Sequence, residues 1–148
     1  MKALQYITLI ITTLSLSNMA YGQKRSEKLT GNWALQYNPS VTKMSPKLKR
    51  SFNSMSLSGR NQIKKAYQGR TYSFYQDGTY KQTQADGRIT TGNWKFTKTD
   101  FQMIDKDGGV LRFKILSFTN SRLVIKAKGN GENKQFLSQW YLSKLKTN

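Results

Sequence analysis

The sequence predicts an all-β fold, an eight-stranded up-and-down antiparallel barrel with a short helical insertion between strands 1 and 2, and three observations predict it. Apolar residues recur at period two in eight short segments. Asp-Gly or Gly-rich turns punctuate those segments. Both prolines, with apolar residues at helical spacing behind them, fall between the first segment and the second.

The first strand is expected from Leu29, where Leu29, Gly31, Trp33, Leu35 and Tyr37 share one face. From Asn38 to Gly69 the period changes, with Leu48, Phe52 and Met55 and then Ile63 and Tyr67 spaced for two short helices. Ser45 caps the first helix with Pro46 at its first position, Ser58 caps the second, and Gly69 stops it. The next strands are expected over residues 70–76, 79–85 and 88–97, joined by Asp77-Gly78 and Asp86-Gly87. Asp-Gly between alternating segments marks a hairpin, because the glycine takes the positive φ of a tight turn. Residues 100–105, 110–118, 122–128 and 134–145 complete the series, separated by Asp107-Gly108-Gly109, Thr119-Asn120-Ser121 and Gly129-Asn130-Gly131. Eight such strands in sequence order favour closure, which leaves no unpaired edge.

Ahead of the barrel, Lys2 precedes a short apolar run and the small residues Ala20 and Gly22. This is the pattern of a signal peptide over residues 1–22, cleaved near Gly22-Gln23, and it predicts a secreted or periplasmic protein. The run is interrupted by Thr8, Thr12 and Thr13, too short and too polar for a transmembrane span. Residues 23–28 read as a flexible polar N-terminus and 29–146 as the barrel domain.

Cysteine and histidine are both missing, so disulfides, thiolate metal sites and histidine-based catalysis are excluded. Of the seven acids, Asp105-Lys106-Asp107-Gly108-Gly109 lacks the further oxygen ligands of a calcium loop and is read, with Asp100, as turn structure. No metal, cofactor or catalytic residue is expected, and the chain is read as a binding protein and not an enzyme. With 25 Lys and Arg against seven acids the net charge is +18, and loss of Lys2 alone leaves +17. Such a charge draws polyanions: acidic glycans or anionic envelope lipids, with nucleic acid the least expected partner of an exported chain.

Gly31-Asn32-Trp33 on the first strand resembles the Gly-x-Trp signature of the lipocalins, and residues 29–145 resemble the bacterial lipocalin-like domain family, a calycin-type barrel. The resemblance implies that Gly31 and Trp33 are structural, the tryptophan plugging one end. Where lipocalins stack an arginine from the last strand on that tryptophan, this chain offers Lys144; Gly92-Asn93-Trp94 repeats the tripeptide and is read as local convergence.

The resulting expectation is non-catalytic binding of a small hydrophobic or amphiphilic ligand, anionic in one version, in a cavity lined by Tyr72, Phe74, Tyr80, Gln82, Trp94, Phe96, Phe113 and Ile115. Lys49, Arg60, Lys64 and Arg70 on the insert would form a lid that contacts an anionic head group. The alternative is a solid barrel acting as a cell-envelope interaction or adaptor protein, its basic surface on acidic glycan or lipid. An eight-stranded barrel is just wide enough to be filled by side chains, so close packing decides between the two.

Overall fold

The computed structural model describes residues 23–97, 100–129 and 136–146. The expected signal peptide, residues 1–22, lies outside them, as do Asn130-Gly131 and the first residues of the last expected strand. Eight antiparallel strands close into one barrel in sequence order: β1 (Gly31–Leu35), β2 (Thr71–Phe74), β3 (Thr79–Thr83), β4 (Ile89–Phe96), β5 (Asp100–Asp105), β6 (Val110–Phe118), β7 (Arg122–Lys128) and β8 (Gln139–Lys144). Pairing of Trp33 with Lys144 and Leu35 with Leu142 joins the last strand to the first. Both Asp-Gly turns form as expected, Gly78 and Gly87 taking positive φ. The Asp77 and Asp86 carboxylates accept the backbone N–H of Thr79 and Arg88.

Several elements depart from the sequence reading. Residues 23–29 are helical (α1) where the polar composition suggests a loose segment, and Leu29 ends that helix instead of starting the strand, buried all the same. Three helices, not two, fill the insertion: α2 (Tyr37–Thr42), α3 (Pro46–Ser54) and α4 (Leu57–Tyr67). Pro39 falls in the first turn of α2, where proline is tolerated because the backbone N–H has no helical partner. Ser45 caps α3 with Pro46 behind it, as expected. α4 is capped by Ser56, whose hydroxyl accepts the Gly59 N–H, and not by Ser58.

One end of the barrel is closed by α1. Trp33 donates its indole N–H to the Leu29 carbonyl at 2.7 Å. Lys144 lies over the indole, 5.4 Å from its centroid, and donates to the Lys28 carbonyl. The other end is covered by the insert, where Val41, Leu48, Phe52 and Tyr67 pack onto the core beside Phe136.

Candidate functional site: a filled interior and a basic outer surface

Period two places Tyr72 and Phe74 of β2, Tyr80 and Gln82 of β3, Trp94 and Phe96 of β4 and Phe113 and Ile115 of β6 on the inward face, and the register sets them side by side. Tyr72, Phe74, Tyr80, Trp94 and Phe113 are buried; Gln82, Phe96 and Ile115 are half-buried. The rings do not stand apart around an open space. Tyr72 stacks on Phe74 at 6.0 Å, Phe74 meets Phe101 at 5.7 Å, Phe101 meets Phe113 at 6.1 Å, Phe113 meets Trp140 at 4.9 Å, and Trp140 returns to Tyr72 at 5.7 Å. At these spacings aromatic rings are in direct contact. β2 and β5 lie three strands apart around the wall, so the Phe74–Phe101 contact bridges the barrel. Trp94 packs edge-on against Phe74, and Phe96 reaches Phe118, extending the filling towards the α1 end.

The sequence reading passes over Phe101 and Met103, both buried at the centre of this packing. Their signal is present as alternation in Asp100-Phe101-Gln102-Met103-Ile104-Asp105, masked by the short strand and its acidic ends. Tyr72 carries the one buried tyrosine hydroxyl without a hydrogen-bond partner among the described residues. Burial holds its pKa far above the ordinary phenol value, and Arg70, near enough to act through its charge and a weak side-chain contact though not in hydrogen-bonding geometry, opposes this only in part. Tyr80 is shifted up as well, first by burial and then by the Asp105 carboxylate.

The four lid residues lie in different surroundings on the insert. Lys49 borders a surface depression of about 290 Å³ between α2 and α3, with Val41, Met44 and Phe52. Lys64 borders another, of about 520 Å³, between α4 and Ala85 of the β3–β4 turn. Arg60 is half-buried, its Nε enclosed without a partner. Arg70 is tied to the end of α4: Nε and an Nη donate to the Ala66 carbonyl, and the guanidinium lies 4.4 Å over the Tyr67 ring.

The basic residues that do assemble are on the outer wall. Facing pairs on β6 and β7 bring Arg112 opposite Lys128 and Lys114 opposite Lys126. Lys95 of β4 and Gln102 of β5 continue the first row, and Asp100 of β5, opposite Lys114, and Gln139 of β8, opposite Lys126, continue the second. Asp100 pairs with Lys128. Three further aspartates serve turns: Asp105 accepts the N–H of Asp107 and Gly109, Asp77 that of Thr79, and Asp86 holds Arg88. Hydrogen bonds from Thr79 and from Arg88 keep Asp77 and Asp86 below the usual carboxylate range. Among the described residues no group of three acids could hold a metal ion, and no helix is long and apolar enough to cross a membrane. Comparison with known protein families, curated proteins and solved structures finds no match to this chain.

Proposed function

We propose that this chain is an exported, non-catalytic interaction protein of the cell envelope: a solid barrel whose basic surface holds an acidic glycan or lipid. The observation that carries the reading is the circuit of five rings that crosses the interior. Small-molecule carriers enclose about 300 Å³ or more of apolar space, and the ring contacts of Phe101 with Phe74, Trp94 and Phe113 across the interior support the solid reading over the hollow one. With the interior filled, the surface is what remains to meet a partner, and 25 basic residues against seven acids set its sign.

Two measurements on the purified chain test this. Co-sedimentation with envelope material should be strong at low ionic strength and reversed by salt, since exposed charges are screened beyond about 8 Å at physiological salt. Mass spectrometry of the organic extract should find no lipophile in stoichiometric amount. A stoichiometric lipophile would return the barrel to the class of carriers, and salt-independent sedimentation would remove the electrostatic basis of the proposal.

A further inference from the structure

The outward face of β5, β6 and β7 arranges its charges against its own stability. Like charges directly opposite each other on neighbouring strands repel, and this face has two such pairs in succession, Arg112 with Lys128 and Lys114 with Lys126. One carboxylate lies on the same face: Asp100, in register with Lys114, reaches across to pair with Lys128, so it offsets the repulsion in part. The four cations form a grid roughly 5 Å across the strands and about 7 Å along them. An anion seated between the rows would touch two cations at once and turn the repulsion into attraction.

We propose that this grid binds a linear acidic glycan, a single polysaccharide chain carrying carboxylate or sulfate groups; the inference rests on reading the chain as a basic interaction protein. Three features select that partner. The wall of a closed barrel is convex, so it meets a flat bilayer along a narrow line, whereas a grid two strands wide matches the width of one polymer. Of the flanking positions in register, Gln102 beside Arg112 and Gln139 beside Lys126 are amides, able to bond sugar hydroxyls, although Gln139 already donates one N–H to the Tyr141 hydroxyl. The other, Asp100 beside Lys114, is the carboxylate that pairs with Lys128 and leaves Arg112, Lys114 and Lys126 to meet an anion. Sequence-tolerant binding of single-stranded nucleic acid uses aromatic faces for base stacking, and the four grid positions are all cations, with the outward Tyr141 lying beyond them, bonded to Gln139. On the helical insert, by contrast, Lys49 borders one depression and Lys64 and Lys65 another, with no facing cation rows.

The experiment titrates the full chain with polygalacturonate, phosphatidylglycerol vesicles and single-stranded DNA, each at two salt concentrations. Wild type is compared with a wall variant (Arg112→Gln, Lys114→Gln, Lys126→Gln, Lys128→Gln) and an insert variant (Lys49→Gln, Lys64→Gln, Lys65→Gln). Wild type should prefer polygalacturonate and lose affinity as salt rises. The wall variant should bind it at least about tenfold more weakly, the loss of several counter-charges, while the insert variant stays within about twofold. The single change Lys126→Glu places opposite charges face to face, should fold at least as well, and should weaken binding several-fold; it decides the matter if the quadruple variant does not fold. Binding lost in the insert variant and kept in the wall variant overturns the site while leaving the proposed function standing. Wall-dependent binding that favours vesicles or DNA overturns the glycan. Failure of wild type to bind any of the three overturns the proposed function itself.

Discussion

Tyr72 is the residue at which the interior is least satisfied. Its ring is held between Phe74 and Trp140, while its hydroxyl has no partner among the described residues. A buried, unpaired hydroxyl forfeits about 1–3 kcal/mol of desolvation. Tyr72→Phe keeps the ring contacts and removes that cost, so denaturant unfolding should show an unchanged or higher stability, by up to about 2 kcal/mol. The pH dependence has a definite sign. The phenol pKa is raised in the folded chain, so the unfolded chain releases its proton first, from about pH 10, and stability falls as pH rises beyond that. Tyr80 acts in the same direction. Tyr72→Phe should therefore lose less stability above pH 10 than wild type does; equal alkaline losses would place the hydroxyl in contact with solvent or a partner.

At the scale of elements, the second Gly-Asn-Trp has a structural cause that local convergence does not supply. A Cβ on Gly92 would lie 2.0 Å from the Ile104 carbonyl oxygen and 2.9 Å from Asp105 Cα, backbone atoms of β5 that cannot yield without breaking the β4–β5 pairing. Gly31 serves a different need: its φ of 122° is open to glycine, and Lys144 crosses where a side chain would stand. Gly92→Ala should destabilise the fold by about 3 kcal/mol or more, read as a drop in melting temperature. Asn93→Ala, on the exposed side of the same strand, should cost less than about 0.5 kcal/mol. Equal effects at the two positions would mean that β5 does not approach β4 as closely as the register requires.

For the whole molecule, charge and fold pull in opposite directions. A net charge of +18 raises the free energy of any compact state through self-repulsion, and the facing cations of β6 and β7 concentrate it. Salt screens that repulsion, so calorimetry should show the melting temperature rising from low to moderate ionic strength. The wall variant, which removes four of the charges, should melt higher than wild type at low salt and gain less from added salt. A melting temperature that is flat or falling with salt would show that the charges are already compensated within the fold.

The sequence by itself determined the fold class, the turn positions and most strand limits, because period-two alternation and the left-handed preference of glycine in Asp-Gly act over a few residues. Thus β5, β6 and β7 stand at residues 100–105, 110–118 and 122–128, as the alternation predicts. It misled where a local signal was weak or had two solutions. Tyr37 continues the period of the first strand yet begins α2, Ser56 and Ser58 could each cap α4, and the polar residues 23–28 gave no sign that α1 would seat Leu29 in the core. What only the tertiary structure decided is who faces whom. Inward positions were legible strand by strand, yet whether Phe74 meets Phe101 across the barrel depends on closure and stagger, which no single strand encodes. The same holds outside: Arg112, Lys114, Lys126 and Lys128 each read as an ordinary solvated charge, and they become a grid because the β6–β7 register places cation against cation.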